Sequence, residues 1–96
     1  MDDESPACRG SALISLELLS RDSPGAVNSV RSLLHRLAST DENQAVRRLA
    51  IVCLRNGSPH RDTIAMLEGL GGDDRLERDL RDAASKVAVA LKKKGR

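Results

Sequence analysis

The chain has no Phe, Tyr or Trp among its 96 residues. A core without aromatics must be assembled from Leu, Val, Ile, Ala and Met, each of which buries less surface than an aromatic ring. Such aliphatic sets suit helices packed closely together. They are poor material for a sheet, where aromatic and β-branched residues dominate. A chain of this length fits one domain and buries only ~60–70% of the surface its unfolded form exposes, so its stability margin is small.

Hydrophobic periodicity points the same way. Residues 1–10 carry Pro6, Gly10 and three consecutive acids but no apolar period, which predicts a disordered tail ahead of one helical repeat domain over residues 11–96. The first run places Leu13, Leu16 and Leu19 at a spacing of three, with Ile14 and Leu18 widening the face. Ser23-Pro24 then supplies a cap hydroxyl and a proline at the first helical position. The second run, Val27, Val30, Leu33-Leu34 and Leu37, forms a helical stripe ending at Ser39-Thr40-Asp41. The third, Val46, Leu49, Ala50, Cys53 and Leu54 with Ile51 and Val52, covers enough of the circumference to predict burial on more than one side.

Asn56-Gly57 is a stop signal that exploits the freedom of glycine at positive φ, and Ser58-Pro59 repeats the start signal. Ile64, Leu67 and Leu70 make the fourth run. Asp74 with Glu77 predicts a capping box for the fifth, whose stripe is Leu76, Leu80, Ala83-Ala84, Val87 and Leu91. No segment alternates with period two. The expectation is an all-α fold of five helices with caps at Ser23, Asp41, Ser58 and Asp74.

Runs two and three superpose on runs four and five. Leu33-Leu34 and Leu37 match Met66-Leu67 and Leu70 at an offset of 33 residues, and Val46-Arg47 matches Leu80-Arg81 at 34. A period in that range marks an array of helical hairpins. The residues Leu33-Leu34-His35-Arg36-Leu37, Asp41 and Val46-Arg47-Arg48-Leu49-Ala50, echoed by Met66-Leu67-Glu68-Gly69-Leu70, Asp74 and Leu80-Arg81-Asp82-Ala83-Ala84, resemble the HEAT-repeat family in its short, lyase-type variety. The resemblance spans about residues 26–94. It implies a right-handed α-hairpin array, a fragment of an α-solenoid, with an ion pair between Asp41 and Arg81 or between Asp74 and Arg47. Tetratricopeptide repeats share the period but pack through the aromatics missing here. Leu54-Arg55-Asn56-Gly57 between apolar helices is also similar to small helical-hairpin chaperones of secretion systems, which implies a cradle for an amphipathic helix.

Nothing in the sequence predicts catalysis, a cofactor, a metal or a small-molecule substrate. His60-Arg61-Asp62 copies three letters of the kinase catalytic loop without a glycine-rich loop, strand lysine or Asp-Phe-Gly. The two histidines, His35 and His60, stand in no zinc-binding spacing with Cys8 or Cys53. His35, between Arg31 and Arg36, is expected to be solvated, and Cys53 to be a small buried hydrophobe. No segment approaches the ~18 apolar residues of a membrane span, and the acidic N-terminus is unlike a signal peptide. Reduced thiols and a cytoplasmic location follow as expectations.

What remains is binding. Arg31, Arg36, Arg47, Arg48 and Arg55 give the middle helices a basic bias, and Lys92-Lys93-Lys94 a basic end. Those arginines are the candidate partner-binding residues, toward an acidic or helical protein surface or a second copy of the chain. A net charge of +2 with 31% charged residues argues against a dedicated nucleic-acid binder, and the lack of aromatics removes base stacking. The function expected is a non-catalytic protein–protein interaction scaffold or adaptor. A small chaperone and a binder of nucleic-acid backbone are the alternatives.

Overall fold

The computed structural model describes residues 5–95, which are helical throughout apart from short connections. Six helices are present among the described residues: α1 Pro6–Ser20, α2 Pro24–Asn28, α3 Arg31–Thr40, α4 Gln44–Leu54, α5 Arg61–Gly71 and α6 Arg78–Lys94. The sixth arises because the second apolar run breaks at Ser29–Val30, giving α2 and α3. Gly25, Asn28 and Ser29 are weak helix formers, and Asn28 is drawn to the connection after α4. Its Nδ2 donates to Ser58 Oγ at 2.9 Å and its Oδ1 accepts from the Ser58 N–H at 3.1 Å. The apolar stripe crosses the break in part: Val27 and Leu34 are buried, Val30 and Leu37 are half-buried, and Leu33 is 44% exposed.

The first helix starts at Pro6, five residues ahead of the expected Ser11. Of the expected tail, residues 6–10 are helical and residues 1–4 lie outside the described residues. Ser5 Oγ accepts from the Cys8 N–H at 3.2 Å and Pro6 occupies the first turn, the Ser-Pro start seen at Ser23-Pro24. Arg9, one turn in, pairs with Asp41 at 2.9 Å.

All four expected caps differ from the expectation. Ser23 stands at the start of α2 without a side-chain bond. Asn43 rather than Asp41 caps α4, accepting from the Val46 N–H at 3.1 Å, while Asp41 accepts from the Asn43 N–H at 2.8 Å. His60 caps α5 through Nδ1, freeing Ser58 for Asn28. Helix α6 starts at Arg78 without the capping box. Asp73 instead accepts from the Arg75 N–H at 3.0 Å, and Asp74 is exposed.

The ion pairs implied by the family resemblance are not formed. Asp41 pairs with Arg9, Asp74 lies 3.6 Å from Arg81, and Arg47 reaches main-chain carbonyls.

Helix α4 is the centre, with Val46, Ala50, Ile51, Cys53 and Leu54 all buried. It packs against α1, α3 and α6; α5 packs on α6, and α3 touches α5. The shortest extent of the molecule is 18 Å, close to the thickness of two helices. The stripe on α6 is buried at Leu80, Ala84, Val87 and Leu91. At the end of α4, Gly57 has negative φ, contrary to the expected left-handed turn. Its need for glycine is steric: a Cβ there would sit 2.7 Å from Val27 Cγ1.

The first apolar run behaves unlike its spacing suggests. Leu13 is buried, but Leu18 is 57% and Leu19 75% exposed. Helix α1 is held on α4 by polar contacts from its middle to its C-terminal end. Asn56 Nδ2 donates to Glu17 O, Glu17 Oε2 and Ser20 Oγ, and the Cys53 thiol donates to Leu13 O at 3.2 Å.

Candidate partner-binding surface

The five candidate arginines do not share one surface. Arg47 Nε donates to Ala38 O at 2.9 Å and Nη2 to Ser39 O at 3.1 Å. These carbonyls close the last turn of α3, where a cation complements the negative end of the helix, so Arg47 ties the α3–α4 hairpin together. Arg31 and Arg36 lie on α3, apart from α4. Arg36 is exposed, and Arg31 is half-buried beside His35.

His35 is not the solvated residue expected. Its Nε2 lies 2.7 Å from the hydroxyl of buried Thr63 on α5. Burial, followed by the Arg31 charge, pushes its pKa below the ordinary imidazole range. Histidine and threonine thereby bridge α3 and α5.

Arg48 and Arg55 are the two that come together. With Val52 between them they recur at helical spacing along α4 to its C-terminal cap and line one bank of a groove whose other bank is α6. Asp79, Asp82 and Lys86 supply the charges of the α6 bank, and Ala83 and Val87 its apolar part. The groove continues past Arg48 to Gln44, Ala45 and Glu77 at the starts of both helices. Carboxylates therefore gather toward the helix starts, and Arg55 and Lys86 occupy the other end. Residues Val52, Ala83 and Val87 give it an apolar component.

The acidic bank, Asp79 and Asp82, was not among the candidate residues read from the sequence. Their spacing of three beside Ala83 was the available signal. The basic end is partly engaged within the chain. Lys94 donates to the carbonyls of Arg55 and Gly57, closing the end of α4, and Lys92 pairs with Glu68. Among the described residues no cluster of three or more His, Cys, Asp or Glu side chains could hold a metal ion, and no helix is long and apolar enough to cross a membrane. No protein-family profile, curated protein or solved structure matches the chain.

Proposed function

We propose that this chain is a non-catalytic protein–protein interaction scaffold, a HEAT-like right-handed array in which α3–α4 and α5–α6 are the stacked hairpins and the α4–α6 groove receives the partner. The groove is the observation that carries the proposal. It joins an apolar strip, Val52–Ala83–Val87, to charges of both signs, Arg48 and Arg55 facing Asp79 and Asp82. A segment of another protein with apolar side chains flanked by acids and bases satisfies such a surface, the charges giving register and the strip giving affinity. Carboxylates on one bank repel a phosphate backbone, which sets nucleic acid aside. The free thiols Cys8 and Cys53 support a cytoplasmic setting.

A photo-crosslinking residue placed at Val52, used in the native host, tests this. One protein should be captured, and its capture should be lost when Arg48 and Arg55 are both replaced by Glu. Capture unchanged by that double substitution refutes the groove as the site. A steep salt dependence of binding to a labelled duplex would replace the reading by one of phosphate contact.

A further inference from the structure

The row of helices α1, α4 and α6 ends in two unlike ways. At one end the exposed positions of α6 are mostly charged, Arg78, Asp79, Asp82, Lys86 and Lys93 around a single exposed Val89, with Asp79, Asp82 and Lys86 also forming the groove bank. At the other end α1 has only two charged residues, and both are engaged within the chain. Arg9 pairs with Asp41, and Glu17 is held by Arg21 and Asn56. The remaining outer face of α1 is uncharged over the length of the helix.

That face is graded in size. Cys8, Ser11, Ala12 and Ser15, all exposed, make its N-terminal half small. Leu18 and Leu19, exposed by 57% and 75%, make its C-terminal half large, and Ile14, 51% exposed, stands at its flank. Three of the five exposed large apolar side chains recorded for the described residues lie on this one helix.

We propose that a second copy of the chain covers this face, with the two α1 helices packed antiparallel about a two-fold axis at Ser15. The size gradient selects that arrangement. Leu18 and Leu19 lie about 5–6 Å along the axis from Ser15 in one direction, and Ser11 and Ala12 about as far in the other. The two-fold therefore sets Leu18 and Leu19 of one copy over Ser11 and Ala12 of the other, filling each small site with a large side chain. Parallel pairing would stack leucine on leucine and leave the serine half separated. Antiparallel helices also oppose their dipoles, the neutral face brings no like charges together, and an isologous contact closes at two subunits. A face about 22 Å long and 10 Å wide falls below the size of stable specific interfaces, so the dimer is a weak, reversible one. The residues used are separate from those of the α4–α6 groove, so failure of either proposal leaves the other standing.

Sedimentation equilibrium of the full chain through the micromolar range should show reversible monomer and dimer. Replacing exposed Leu18 and Leu19 by Glu should leave only monomer while the helical circular dichroism is unchanged. The geometry has its own check. In a Cys8→Ser background, Ser15→Cys should give a disulfide-linked dimer on mild oxidation. Native Cys8 should not, because an antiparallel pair holds the two Cys8 residues about 21 Å apart along the axis, against the ~7 Å limit for a disulfide. A monomer at every concentration overturns the proposal, as does association indifferent to the two glutamates. A dimer that links readily through Cys8 but not through Ser15→Cys overturns the antiparallel register.

Discussion

Gly57 lies where the connection after α4 passes over Val27, and alanine at this position sets two effects of opposite sign against each other. Its φ is not positive, so alanine fits the backbone and, by restricting the unfolded chain, stabilises by about 0.4–1 kcal/mol. Against this, the new Cβ would meet Val27 Cγ1 at 2.7 Å, Asn28 Oδ1 at 3.2 Å and Val27 Cβ at 3.3 Å. Val27 is 1% exposed and stiff at χ1, and Asn28 is anchored to Ser58 by two hydrogen bonds. Neither neighbour yields easily, and overpacking of this kind costs about 1–3 kcal/mol.

The steric effect wins, and Gly57→Ala should destabilise by about 1–2 kcal/mol, lowering Tm by about 4–8 °C for each kcal/mol. Val27→Ala removes the obstacle at a cost of about 2 kcal/mol for its own cavity, and adding Gly57→Ala in that background should cost nothing further. The double mutant then falls short of the sum by about 1–2 kcal/mol. Gly69→Ala is the control: no atom lies within 4 Å of its added Cβ, so it should stabilise α5 by about 0.5–1 kcal/mol. Urea unfolding followed by far-UV circular dichroism is the assay, because a chain without aromatics has no intrinsic fluorescence to follow. If Gly57→Ala matches or exceeds the wild type, or adds to Val27→Ala without coupling, the steric account is refuted.

Acid should destabilise the fold through Glu17, whose pKa is lowered from 4.5 to about 2 by hydrogen bonds from Arg21 and Asn56. Because the folded value is the lower one, its contribution is complete above pH 4.5 and is lost as the pH falls toward 2. Glu17→Gln should flatten urea midpoints across that window, and an unchanged slope counts against the assignment. Asp41, with a side chain 5% exposed, holds both Arg9 and the Asn43 N–H. Asp41→Ala should cost about 2 kcal/mol, and Asp41→Asn, which keeps an acceptor for the amide, distinctly less; equal losses in chemical denaturation would exclude the hydrogen-bond role. Cys53 is buried and its pKa raised to about 11, chiefly by that burial. A thiol-reactive disulfide reagent at neutral pH should therefore modify Cys8 alone in the native protein and both cysteines in denaturant.

Where a helix is packed strongly on one side or on several, its sequence foretold its burial. The stripe Leu80–Ala84–Val87–Leu91 and the many-sided run from Val46 to Leu54 are both buried. Leu13, Leu16 and Leu19 misled because a spacing of three drifts about 60° per step on a helix. Leu19 is thus turned about 120° from Leu13, and a helix that packs chiefly on α4 and the short α2 does not bury both. Helix starts were misplaced where several short polar residues compete, as at Asp41–Asn43, since any of them can accept the first free N–H groups. The arginines were legible as charge but not as direction. That Arg47 closes α3 while Arg48 lines a groove depends on how the hairpin folds back, and neighbouring residues on a helix point about 100° apart.

Helix α1 reaches its seat on α4 by contacts between residues far apart in the chain, Leu13 with Cys53 and Glu17 with Asn56. The pairs α3–α4 and α5–α6 are instead joined by short connections. Closing the longer loop costs more entropy, and contacts distant in sequence form slowly. The two hairpins are therefore expected to condense first, with α1 docking afterwards onto a surface already made. The helix that carries the bare face is thus the last to be committed, and while it is undocked the apolar flank of α4 is open as well. Assembly and folding are joined at this helix, since whatever seats α1 also seals the core.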